Sequence, residues 1–96
     1  MRRHRYRITV KHICTAKDGQ ILRAEPLIFE AHNHDDVIAI VERMQANADL
    51  KDEAASLWVG VKLLSEIAIS RRNYPAYREL AIALATLIGQ VKSGAV

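Results

Sequence analysis

The stretch from Asp52 to Ser70 constrains the fold more than any other in this 96-residue chain. Wound at 3.6 residues per turn, it puts Leu57, Val61, Leu64 and Ala68 on one side and Val59, Leu63 and Ile67 in a second stripe roughly opposite. A helix apolar on two sides needs two partners, so the segment predicts a central element with others packed around it. Lys62 and Glu66 form a narrow polar strip between the second stripe and Trp58 and Ile69 on the flank.

Before it, residues 6–14 alternate, with Tyr6, Ile8 and Val10 on one face and Arg5, Arg7, Thr9 and Lys11 on the other, the pattern of a strand with one buried face. Asp18-Gly19 then gives a hairpin signal, because glycine accepts positive φ without steric cost. With those two as the turn, Val10 meets Leu27, Ile8 meets Phe29, Tyr6 meets Ala31, and Arg7 faces Glu30 as a cross-strand charge pair. A slip of one residue would turn every apolar side chain outward, so the pattern selects this parity. The predicted strands run over about 5–15 and 21–31. Pro26 has no amide hydrogen to give a ladder, so its amide side belongs on an edge.

Three helices follow, over about 34–46, 50–70 and 75–92. Asn33 is the expected N-cap of the first, with Asp36 in the reciprocal position of a capping box and Val37, Ile40, Val41, Met44 and Ala48 on its apolar face. Asn47 is suited to its left-handed end, and Asp49 with Asp52 marks the start of the second helix. Pro75 suits the first turn of the third, which carries Tyr77, Leu80, Ala81, Leu84, Leu87, Ile88 and Val91 on one side. The reading is a single α+β domain, an N-terminal antiparallel hairpin followed by three helices. Two strands alone are marginal in water and leave open edges. A second copy adding its own hairpin across a twofold axis relieves both problems, so a homodimer is expected, with Val59, Leu63, Ile67, Lys62 and Glu66 as interface candidates.

Charge is unevenly placed. Residues 1–23 hold seven lysines or arginines against one aspartate, whereas the remainder holds seven against ten acids. The arm Arg2, Arg3, Arg5 and Arg7, with Tyr6 among them, could contact phosphates and stack a base, which makes weak, sequence-independent nucleic-acid binding the alternative function. The third helix, with only Arg78 and Lys92, offers no basic recognition face. A single cysteine, Cys14, excludes an intramolecular disulfide and fits a reducing compartment. No apolar run reaches the roughly 18 residues of a membrane span. Thr9, Lys11 and His12 interrupt any signal-peptide core at the basic start, so a cytoplasmic protein is expected.

His32, His34, Asp35, Asp36, His12 and Cys14 include metal-ligand types, but the cap and dipole roles at 33–36 account for that cluster, and neither metal nor cofactor is expected. Lys62 and Glu66, four apart amid apolar neighbours, read as a helical ion pair or an interface pair rather than an activated base. Gly60 in mid-helix costs about 1 kcal/mol relative to alanine and predicts close approach of another helix. No phosphate loop, CxxC or GxSxG is present, so catalysis is not expected.

Arg5-Tyr6-Arg7-Ile8-Thr9 in the first strand, Asn33-His34-Asp35-Asp36 before Ala39-Ile40-Val41-Glu42, Gly60-Val61-Lys62-Leu63 with Glu66, and Pro75 with Glu79-Leu80 resemble, in order and spacing, a small bacterial family, a conserved domain of unknown function. The resemblance runs from about residue 4 to residue 92 and departs at Ile82-Ala83-Leu84-Ala85 and in the hairpin loop. It implies a β-β-α-α-α fold without an assigned activity. The functional reading is therefore a non-catalytic binding or protein-interaction module, with an unidentified protein partner as a further possibility.

Overall fold

A computed structural model describes residues 3–14, 25–46 and 53–92. Strand β1 spans His4–Val10 and pairs antiparallel with β2, Leu27–Asn33; helices α1 (Val37–Gln45), α2 (Ala54–Ser70) and α3 (Pro75–Lys92) follow. Val10 pairs with Leu27, Ile8 with Phe29, Tyr6 with Ala31 and Arg7 with Glu30. This is the register that alternation selects, because any slip of one would carry the apolar set to the solvent side. Among the described residues the strands end at Val10 and Leu27, and β2 runs on to Asn33; positions 15 and 21–24 of the predicted strands lie outside the described residues. The Asp18-Gly19 turn, the left-handed Asn47 and the Asp49 and Asp52 helix start lie outside the described residues.

The core is built on α2, which packs against α1, α3 and β2. Ala54, Trp58, Val61 and Ala68 of α2 are buried with Leu84 of α3, and Ile40, Val41 and Met44 of α1 and Leu80, Leu87 and Val91 of α3 close around them. Trp58, placed on the flank by wheel geometry, is the largest fully buried side chain, because residues of both α1 and α3 pack against the cluster it belongs to. Leu64, assigned to the buried stripe, is instead 40% exposed. The buried arc of α2 thus centres between Ala54 and Ser65, and the arc from Val59 through Leu63 to Leu64 is turned away from the core.

Helix α1 begins at Val37, three residues later than the sequence suggested. Its N-cap is Asp36, whose carboxylate accepts from the Ala39 amide at 3.1 Å. Asn33 is not the cap. It is buried at 3% exposure, its Oδ1 accepts from the Asp35 amide and its Nδ2 donates to the Lys62 carbonyl at 2.9 Å. An Asx turn at the end of a strand competes with capping for the same side chain, and here the turn takes it. Between α2 and α3 the chain reverses in one turn, with the Arg71 amide donating to the Ile67 carbonyl and the Arg78 amide to the Tyr74 carbonyl. Pro75 opens α3, where its missing donor costs nothing.

Candidate functional site

The polar strip of α2 meets the turn between β2 and α1. Lys62 Nζ lies 2.9 Å from Asp35 Oδ2, and Glu66 Oε1 accepts from the His34 amide at 2.9 Å while lying 2.7 Å from His34 Nδ1. An ionised carboxylate only accepts, which puts the proton of that contact on Nδ1. Lys62 and Glu66 therefore do not pair with each other, contrary to the helical ion pair suggested by their spacing. Each reaches across instead to a residue of opposite character in the adjacent pair His34-Asp35, and a four-residue step on the helix matches that dipeptide. Both α2 side chains are largely covered, at 12% and 19% exposure, while Asp35 and His34 are half exposed. Tyr6 closes the same turn from β1, donating to the Asp35 carbonyl and accepting from the Val37 amide, each at 2.9 Å.

A cleft of about 260 Å³ opens beside this clamp. Lys62, Ser65 and Glu66 form one wall and Ala81, Ala85 and Ile88 of α3 the other. Its volume falls below the roughly 300–1,000 Å³ of common small-molecule sites. Ser65 Oγ is buried there without a hydrogen-bond partner. The ionisable groups are all engaged in holding the turn, so the arrangement is mechanical: it fixes the hairpin and α1 onto α2. Sequence reasoning missed Tyr6, His34 and Asp35 as its members. The signal available was a tyrosine on an apolar strand face, where a buried hydroxyl needs a partner.

The second feature is an open apolar surface. On the inward face of the hairpin, Asn33 is buried, Ala31, Tyr6 and Ile8 are half-buried, and Phe29, Val10 and Leu27 are 42%, 55% and 63% exposed. The hairpin is seated at its base and overhangs the helices toward its loop, where Val10, Ile13, Pro26 and Leu27 line a broad concavity. The alternation marks this face as buried, yet Val10, Leu27 and Phe29 lie open. Core contacts come from α1 and α3, because the clamp fixes only the far end of β2. On α2, Val59 and Leu63 are half-buried and Ile67 is 50% exposed. They border the Lys62–Glu66 strip, which holds the end of β2 through Asn33 and the turn at His34. Gly60 lies in the same arc, and a methyl group built there meets nothing within 4 Å, so the predicted close helix is not found among the described residues.

Of the basic arm, Arg2 lies outside the described residues, and Arg3 and Arg7 are exposed. Arg5 donates to Glu30 at 2.9 Å. The ion pair is thus diagonal, and Arg7, opposite Glu30 in the register, does not make it. The hydrogen bond from Arg5, and next its charge, holds the Glu30 carboxyl below its ordinary range; the same bond raises the Arg5 guanidinium. Cys14 is a free, exposed thiol. Among the described residues no three His, Cys, Asp or Glu side chains gather as a metal site, and no helix is long and apolar enough to cross a membrane.

The order of elements and the clamp are spanned by one family model, that of a domain of unknown function with solved structure, which matches residues 4–93. The chain belongs to this family, DUF3861. A crystal structure of a protein of unknown function from Pectobacterium atrosepticum is similar, with a TM-score of 0.74 at 24% identity, covering 96% of this chain and 99% of that one. At that identity the likeness carries the fold. No curated protein matches the chain. The β-β-α-α-α domain is therefore a family architecture, and neither the family nor the similar structure brings an activity to its side chains.

Proposed function

We propose that this DUF3861 domain is a non-catalytic interaction module that self-associates as a homodimer through the apolar face of its hairpin and an arc of α2. The observation that carries the reading is the graded exposure of the hairpin, covered at Asn33 and 63% open at Leu27. A two-stranded sheet with one large apolar face open to water is marginal, and contiguous apolar patches mark interaction surfaces. A second copy is the occupant that fits, because it brings an equal unfilled surface and an open strand edge to the same place. Val59, Leu63 and Ile67 form the α2 side of the contact and Lys62 and Glu66 its rim. A non-catalytic role is supported by the engagement of Lys62 and Glu66 in the clamp. A cytoplasmic setting is supported by the exposed Cys14 thiol.

Light scattering coupled to size exclusion tests this directly. At tens of micromolar the expected mass is twice the 10.8 kDa of the chain. Leu27→Glu with Ile67→Glu should shift it to the monomer with the helical circular dichroism retained. A parent that elutes as a monomer at that concentration overturns the reading. Nucleic-acid binding by the basic arm ranks second, since Arg5 is already engaged by Glu30 and only Arg3 and Arg7 of the described arm point charge outward.

A further inference from the structure

The turn between α2 and α3 gathers Arg71, Arg72 and Arg78 around Tyr74 and Tyr77, one turn beyond Ile67. The Arg71 guanidinium lies 5.6 Å from the centre of the Tyr77 ring, and Tyr74 meets Tyr77 edge-on at 6.4 Å. Arg78 Nε donates to the Arg72 carbonyl at 3.1 Å, and Arg72 Nη1 to the Ile69 carbonyl at 3.4 Å. None of the three forms an ion pair among the described residues, unlike Arg5 and Lys62. Each arginine is therefore held by a contact that leaves most of its five donors free: Arg71 by its π face, the other two by a single nitrogen. Tyr74 is 62% exposed beside them. Guanidinium groups fixed in advance lose less entropy when an anion arrives, and they bind carboxylates bidentately.

We infer that this turn docks a short acidic segment of a partner protein, carboxylates on the arginines and an apolar or aromatic neighbour on Tyr74. The extent of the charge selects that class over nucleic acid. From Glu79 to Val91, α3 holds no lysine or arginine, and upstream on α2 the one cation is Lys62, bound to Asp35. A polynucleotide needs a basic track along its backbone, and past Arg78 the third helix offers Glu79 and no cation up to Val91. One or two carboxylates match it.

Fluorescence anisotropy at about 50 mM salt, with a labelled octaglutamate peptide, a labelled octaglutamine peptide and a labelled ten-base oligothymidine, tests the inference. Octaglutamate is expected to bind, octaglutamine not to bind, and the oligothymidine to bind more weakly than octaglutamate. Arg71→Gln with Arg72→Gln and Arg78→Gln should weaken octaglutamate binding by about tenfold or more, as should raising the salt to about 300 mM. Arg71→Gln alone removes no hydrogen bond, so it keeps the fold should the triple variant lose it, and is expected to weaken binding about threefold. Arg3→Gln with Arg7→Gln should leave it unchanged. Octaglutamate binding that ignores the three arginines, no binding at all, or oligothymidine binding more tightly through the same residues would each overturn the inference. The mass by light scattering should be unchanged in every arginine variant, which separates this surface from self-association.

Discussion

Asn33 shows how much a single buried amide can organise. It ends β2, makes the turn into α1 through Oδ1 and ties that turn to the Lys62 carbonyl through Nδ2. Removing it leaves buried groups unsatisfied, so Asn33→Ala is expected to lower stability by about 1–3 kcal/mol, read as a drop in the urea midpoint with an unchanged slope. Gly60 behaves oppositely. It is exposed within a helix with open space around it, so Gly60→Ala should raise stability by about 0.5–1 kcal/mol in the same measurement. No gain would mean that another surface packs on that position. Glu30 gives a pH signature. Its folded carboxyl is held below the unfolded value of about 4.3, so the contribution of the pair is present above that pH and is lost as pH falls through the lower folded value. Both partners are exposed, so the effect is small: Glu30→Gln should melt slightly below the parent at pH 7, and the two curves should converge as pH falls through the folded value of Glu30.

At the scale of elements, the hairpin and α2 divide the labour unequally. The register of β1 and β2 was legible because one face is apolar from Tyr6 to Val10 and from Leu27 to Ala31, and parity alone decides which way such residues point. How far the hairpin is covered was not legible, since burial depends on where its neighbours end. The helical boundaries were displaced for a related reason: Asn33 and Asp36 are both good caps, and only the position of the Lys62 carbonyl selects Asn33 for the strand side. The clamp itself predicts a measurable coupling. Glu66→Gln replaces an acceptor that serves both the amide and the ring of His34, and should cost about 1–2 kcal/mol in urea unfolding. In a His34→Ala background the loss should shrink, which a double-mutant cycle detects.

For the whole molecule, the core is small and one-sided. Six buried apolar residues, all on the three helices, hold the bundle, while eleven large apolar side chains remain exposed among the described residues. The proposed self-association would cover that surface, and it has a thermodynamic mark besides mass: the melting temperature should rise with protein concentration, since dimerisation stabilises by mass action. A melting temperature constant over about a hundredfold dilution from tens of micromolar would count against it.

The sequence by itself determined the element order, the hairpin register and the central position of α2, because these follow from period-2 and period-3.6 patterns that local stereochemistry enforces. The family resemblance was equally legible, in ordered short motifs from about residue 4 to residue 92, and the family model matches residues 4–93. Tertiary structure alone decided the partners of polar side chains and the depth of burial. Trp58 is the core anchor rather than a flank residue, and Lys62 and Glu66 reach His34 and Asp35 rather than each other. Spacing along one helix fixes which side chains can share a face; which of them find water, a neighbour or a second chain depends on elements tens of residues away.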